Sequence, residues 1–128
     1  MATLDDTNDP SGRLIGATQV QGTSVYDPAG EKLGRVEDVM LDKLTGRVAY
    51  AVLSFGGFLG IGDRFYPLPW DKLAYDMDLG GYVVDMDRAT LEGAPSFADD
   101  EPAAWNDRAW GERLAGYYGT RPFWDIMP

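Results

Sequence analysis

The stretch from Gly30 to Trp70 constrains the fold of this chain more than any other. It opens with Gly30-Glu-Lys-Leu-Gly-Arg-Val-Glu-Asp-Val-Met-Leu-Asp42, turns at Lys43-Leu-Thr-Gly46 and returns through the uncharged run Val48 to Phe55. A glycine-rich crossing, Gly56-Gly-Phe-Leu-Gly-Ile-Gly62, then leads into Arg64-Phe-Tyr-Pro-Leu-Pro-Trp70. Strand-like runs separated by short glycine-containing turns read as hairpins, and several in succession predict a small β-barrel. Val36 and Val39 are three apart and would face opposite ways on a regular strand. A bulge around Glu37-Asp38 would bring them to one side and bend the strand as a barrel needs. Val48-Ala-Tyr-Ala-Val-Leu53 does not alternate, so both of its faces need cover.

The flanking segments follow the same grammar. Residues 1 to 12 are acidic and polar, with Asp9-Pro-Ser-Gly12, and read as a disordered lead. Order should begin at Leu14-Ile15-Gly16, with a first strand over Thr18 to Tyr26 and a turn at Asp27-Pro-Ala-Gly30. Pro67 and Pro69 cannot donate to a ladder, so the strand Arg64 to Leu68 is short or lies at an edge. Leu73 to Asp76 and Gly81 to Asp85 flank Met77-Asp-Leu-Gly80 as a last hairpin. Arg88 to Glu92 is a single helical turn closed by Gly93. The stretch from Pro102 to Tyr118 has helical spacing, with Trp110, Leu114 and Tyr117 on one face and Gly119 as the stop. Six of the 16 aromatic residues (Trp105, Trp110, Tyr117, Tyr118, Phe123 and Trp124) fall in the last 24 positions, a density that predicts packing rather than a solvated tail.

Composition closes most routes to catalysis. The 128 residues suffice for one domain with its own core, and they include no cysteine and no histidine. Cys/His zinc sites, cysteine nucleophiles and Ser-His-Asp triads are therefore excluded. A net charge of −10 sets a repulsive field against a phosphate backbone, so nucleic acid is not expected as a partner. The longest uncharged stretch, Val48 to Gly62, is 15 residues with four glycines, against the roughly 20 apolar residues of a spanning helix. We expect no membrane insertion and a cytoplasmic location.

These residues resemble the PRC-barrel domain family, the small β-barrel of the photosynthetic reaction-centre H subunit and of ribosome-maturation factors of the RimM type. The resemblance is carried by Leu14-Ile-Gly16, Gly30-Glu-Lys-Leu-Gly-Arg-Val36 with Asp38 and Asp42, Gly46-Arg-Val48, and Leu68-Pro-Trp70 with Leu73. Leu91-Glu-Gly-Ala-Pro95, Trp105-Asn-Asp107 and Tyr117-Tyr-Gly119 before Pro122-Phe-Trp124 are similar to a stand-alone bacterial branch with an aromatic C-terminal helix. The resemblance implies a mainly β fold, a PRC-barrel-like β-barrel of about six strands with a short helical turn and one C-terminal α-helix. It divides the chain into the lead 1–12, the barrel 13–97 and a helix with aromatic tail, 98–128, packed on the barrel. It also implies a non-catalytic packing or adaptor module. No membrane helix ahead of the barrel and no second domain or basic surface accompany it, so neither better-known role is expected to transfer.

Three constellations could still carry chemistry. The glycine-rich crossing could cradle an anion, but it lacks the Lys-Ser/Thr of a P-loop and does not complete a dinucleotide fingerprint. Asp76, Asp78 and Asp87 stand at the first, third and twelfth positions of a calcium-type loop, with Gly80 where a ligand belongs and a short Asp where the bidentate Glu belongs. A hairpin turn bearing exposed acids explains them better. Asp38, Asp42, Asp85 and Asp87 have no spacing that pairs them for acid–base work, and Asp42 suits a turn. We therefore expect no catalytic residue, no cofactor and no metal site. The expected function is an interaction or assembly module with an unidentified protein partner; the alternative is a domain that binds a small ligand or cation. The candidate interface is Phe58, Leu59, Ile61, Phe123 and Trp124, apolar groups with no obvious seat in a filled barrel, and a homodimer is expected to bury them.

Overall fold

Three aspartates organise the hairpins of this chain. The computed structural model describes residues 12–55, 64–98 and 100–125. A short helix, α1 (Ala17–Val20), leads into β1 (Ser24–Tyr26), followed by β2 (Lys32–Leu41), β3 (Val48–Ser54) and β4 (Arg64–Pro69). A 3-10 turn, Trp70–Lys72, joins β4 to β5 (Leu73–Asp76), which pairs with β6 (Gly81–Val84). At the β1–β2 turn Asp27 Oδ1 accepts from the Ala29 and Glu31 N–H groups. Asp42 Oδ1 accepts from Leu44 N–H at the β2–β3 turn, and Asp76 Oδ1 from Asp78 and Leu79 N–H at the β5–β6 turn. Each turn ends on a glycine at positive φ, Gly30, Gly46 and Gly80. A short acid that caps backbone N–H groups, followed by a residue free to turn left-handed, is a local solution to chain reversal.

The strands form one sheet in the order β5-β6-β1-β2-β3-β4-β7, where β7 is the two-residue strand Phe97–Ala98. All neighbours are antiparallel except β1 and β6. The mainly β reading holds, with two corrections. Among the described residues there are seven strands rather than about six, and their sheet is not closed, since β5 and β7 stand at its two edges. The bulge expected at Glu37 is present, as a register shift between Val36 and Asp38 against β3. It leaves Val36 fully buried and lets Val39 pack against the same core.

Gly34 explains one glycine of the sequence motif. A Cβ there would lie 2.1 Å from the Ser54 carbonyl oxygen, so β2 and β3 meet only because position 34 has no side chain. The core that β2 encloses comprises Val25, Leu33, Val36, Leu53, Leu68 and Val84, with Leu91 from α2 (Arg88–Glu92) and Leu114 from α3 (Arg108–Tyr118). Asp87 caps α2 by accepting from Thr90 N–H and Oγ1, which holds its carboxyl below the ordinary value.

Several expected boundaries move. The span Thr18 to Tyr26 is split, because α1 turns once before β1 begins at Ser24. The last hairpin strand stops at Val84 rather than Asp85. The C-terminal helix begins at Arg108 and not at Pro102, because Asp107 Oδ1 accepts from Ala109 N–H and so fixes the start. Its buried stripe is Gly111, Leu114, Ala115 and Tyr118. Trp110 only partly packs against the core, and Tyr117 is exposed, its hydroxyl donating to the Thr90 carbonyl. Gly119 ends the helix in the left-handed conformation, as expected. β4 is not an edge, yet β7 pairs only with its Arg64 and Phe65. α3 packs against β4 as well. Trp70 is half-buried, with its ring edge-on to Tyr82 at 5.5 Å.

Burial raises the Tyr50, Tyr82 and Tyr118 hydroxyls above the ordinary tyrosine value of 10.0; Tyr75 adds to the effect at Tyr82, and Tyr117 and Tyr66 add to it at Tyr118. A raised folded value means that the native chain holds the proton more tightly than the unfolded chain. The contribution to stability is complete below about pH 10 and declines as pH rises above it. The Tyr118 hydroxyl is buried without a hydrogen-bond partner among the described residues.

Two measurements follow. Denaturant unfolding should show stability falling as pH rises above about 10, with a shallower fall in Tyr118→Phe. At neutral pH the same substitution should be neutral or stabilising by about 1 kcal/mol, because it deletes a buried donor that makes no bond. An unchanged alkaline slope would place the late-titrating group elsewhere. Gly34→Ala should cost about 3 kcal/mol, the upper end for overpacking, because the obstacle is backbone and cannot rotate away. An unfolding midpoint unchanged by that substitution would mean that β2 and β3 can separate freely at this point.

Candidate interaction surface

The outer face of β3 is where the C-terminal segment meets the sheet. In the β3–β4 register Tyr50 lies opposite Pro69 and Ser54 opposite Phe65, so these residues share a face. Tyr50 meets Trp105 at 5.8 Å and Phe123 at 5.8 Å between ring centroids, and Phe65 meets Phe97 at 5.5 Å. Trp105 and Trp110 join Phe97 to complete a continuous seam of rings, most of them edge-on. Edge-to-face pairs of this kind contribute about 0.5 to 1.5 kcal/mol each beyond their area. Both faces of β3 are thus covered, as its unbroken apolar run requires. The cover comes mainly from rings on either side of α3, at Trp105 and Phe123, rather than from the helix's own stripe.

Phe123 and Trp124 lie in a closing 3-10 turn, Phe123–Asp125. Phe123 is half-buried against the core and 5.1 Å from the Trp124 ring. Trp124 lies on Gly111, where an added Cβ would come within 2.8 Å of the indole, and the Arg108 guanidinium sits 4.5 Å over its ring. These two candidate interface residues therefore have seats on their own chain, contrary to the expectation that they lack one. Phe58, Leu59 and Ile61 lie outside the described residues.

Beside this turn a groove of about 410 Å³ opens between the β2–β3 hairpin and the C-terminal residues. Val48, Trp70, Phe123 and Trp124 form its apolar wall, with Asp42, Arg47 and Asp71 at its rim. An inner cavity of about 30 Å³, lined in part by Tyr50, Thr120 and Arg121, continues from it, and the buried Thr120 hydroxyl has no partner among the described residues. Nothing in the residue spacing pointed to this groove, because its walls come from three separate parts of the chain.

The acids read from the sequence are placed differently from a binding loop. Asp76 pairs with Gly81 at the turn end of the last hairpin, whereas Asp87 follows β6 from its far end and caps α2. Asp42 closes the β2–β3 turn, and Asp38 Oδ1 accepts from Val39 N–H beside the bulge. The carboxylates serve the backbone. Among the described residues no group of three or more acidic side chains is arranged to hold a metal ion. No helix there is long and apolar enough to cross a membrane.

The two sheet edges are treated unequally. At β7 the Ala98 N–H donates to Glu101 Oε1 at 2.6 Å and the Ala98 carbonyl accepts from Glu101 N–H at 3.1 Å, so one residue occupies both outward groups. Glu101 also pairs with Arg64 at 3.6 Å. At β5 the Asp76 carbonyl turns inward to accept from Gly80 N–H. By alternation along the strand, the Tyr75 N–H and C=O turn outward. The surrounding side chains are large and exposed: Tyr75 at 45%, Met77 at 53% and Leu79 at 41%.

A solved structure described as a 16S ribosomal RNA processing protein RimM, from Pseudomonas aeruginosa, aligns with 63% of this chain and 49% of its own, at 20% identity and a TM-score of 0.37. The chain thus spans about half the length of that protein. No curated protein matches it. The sequence profile of the PRC-barrel domain matches residues 13–91, and the chain belongs to that family.

Proposed function

We propose that this protein is a non-catalytic, cytoplasmic interaction module that assembles as a homodimer. The observation that carries the reading is the apolar exposure at the open edge of the sheet, where Tyr75, Met77 and Leu79 project from one hairpin. Large apolar side chains left in water favour burial against a partner, and an isologous contact buries the same groups from both copies. The employment of the aspartates supports the non-catalytic part. Asp27, Asp42, Asp76, Asp87 and Asp107 all accept from nearby backbone N–H groups at turns and helix starts. A net charge of −10 opposes self-association only weakly at physiological salt, where the Debye length is about 8 Å.

A second reading, binding of a small ligand, is favoured by the groove beside Trp70 and Phe123, whose volume is in the range of small-molecule sites. Titration calorimetry with Ca²⁺ and with small organic ions should register heat on that reading and none on the first.

Sedimentation equilibrium at micromolar concentration should give about twice the chain mass of 14.1 kDa. A monomer across the accessible concentration range would overturn the dimer.

A further inference from the structure

We infer that the groove beside Trp70 and Phe123 binds a free α-amino acid with a large apolar side chain, its two charged ends held at the rim by Arg47 and Asp71. The inference rests on the small-ligand reading of this groove and names the class of ligand; it does not depend on the homodimer. Charge supplies the first argument. Arg47 and Asp71 both line the groove and are exposed, and among the described residues neither the guanidinium nor the Asp71 carboxylate has a hydrogen bond or an ion pair, with each other or with a third group. Asp42, at the same rim, is already engaged, one oxygen accepting from Leu44 N–H. Unpaired charges of both signs beside one groove complement a zwitterion. A ligand with a carboxylate alone would meet the repulsive field of a chain at −10, and one with an amine alone would leave Arg47 unanswered.

Shape supplies the second argument. An α-amino acid carries both charges at one end and its apolar body at the other, and the groove is divided the same way, with charges at its rim and Val48, Trp70 and Phe123 along its wall. Its volume of about 410 Å³ admits a single amino acid with an aromatic side chain. The wall is set before a ligand arrives: Trp70 stands edge-on to Tyr82 at 5.5 Å and Phe123 edge-on to Tyr50 at 5.8 Å, so binding orders few side chains. Beyond these rings the inner cavity of about 30 Å³ has room for water beside the unpartnered Thr120 hydroxyl, but none for a ring. The apolar body of the ligand therefore stays in the outer groove, within reach of the rim.

Calorimetric titration with L-phenylalanine, phenethylamine and phenylpropionate tests the class, because each of the last two keeps the ring and only one of the charges. Phenylalanine should bind about fivefold or more tightly than either. Asp71→Asn should weaken phenylalanine and phenethylamine by about fivefold and leave phenylpropionate within about twofold of the parent, whereas Arg47→Gln should weaken phenylalanine and phenylpropionate and spare phenethylamine. Both side chains are exposed, so neither change removes packing from the core. Phenylalanine bound no better than its one-charge analogues, or affinities indifferent to both substitutions, would overturn the inference while leaving the groove a ligand site. Absence of heat with all three probes would overturn the inference and the small-ligand reading together, with the homodimer still tested separately by sedimentation.

Discussion

The approach of β2 to β3 at Gly34 is the constraint on which the rest of the sheet depends. β2 is the longest strand, and at Arg35 it pairs with both Ser24 of β1 and Ser54 of β3. One strand therefore holds two halves of the sheet together, and it must bend to do so. The absence of a side chain at Gly34 lets the Ser54 carbonyl come in, and the bulge after Val36 adds the local twist that an extra residue brings. Glu37, set apart by the bulge, accepts from the Ser54 hydroxyl and pairs with Arg35, so the distortion is tied down from both sides.

That bend places β3 between two layers. Leu53 faces Tyr66 and the inner core, while Tyr50 on the other face meets Trp105 and Phe123. A seven-residue strand without charge cannot face water on either side. The C-terminal aromatic residues resolve this by interlocking with one another as well as with the sheet. The seam from Phe65 to Trp124 thus makes the segment after Ala98 part of the same packing unit, although the family match ends at residue 91. The acidic residues left at the surface are absorbed by turns and helix caps, where a carboxylate gains from backbone N–H groups without being buried.

What could be read from the sequence was whatever local chemistry decides. The Asp-to-Gly hairpin turns, the bulge at Glu37, the helical turn at Arg88 to Glu92 and the stop at Gly119 all follow from residues within a few positions of one another. What was missed is decided by distant partners. α1 forms where alternation suggested strand, because Val20 turns into the core. β7 is two residues long and exists only because Phe97 meets Phe65 across the sheet. The helix start could have been found, since Asp107 is a good cap; the acids and proline at 99 to 102 offered a competing start that packing did not use. The aromatic density near the C-terminus was legible, but the seat of Trp124 was not, because it depends on the bare backbone of Gly111, and a glycine inside a helix carries no such signal by itself.

An open sheet must account for both of its edges, and this one treats them by different physics. At β7 the strand is cut to two residues and a carboxylate replaces the missing neighbour, a common defence against unwanted pairing. At β5 the strand is also short, and the Leu73 N–H is taken by the Trp70 carbonyl and the Asp76 carbonyl by Gly80 N–H, while Tyr75 stays exposed. A charge on an edge strand repels partners only when the partner presents the same sign in the register that the apolar groups prefer. At β5 the charges stand outside the strand, Lys72 in the 3-10 turn before it and Asp78 in the turn after it, so this edge is guarded by its shortness and by its turns rather than by a charge set within the ladder.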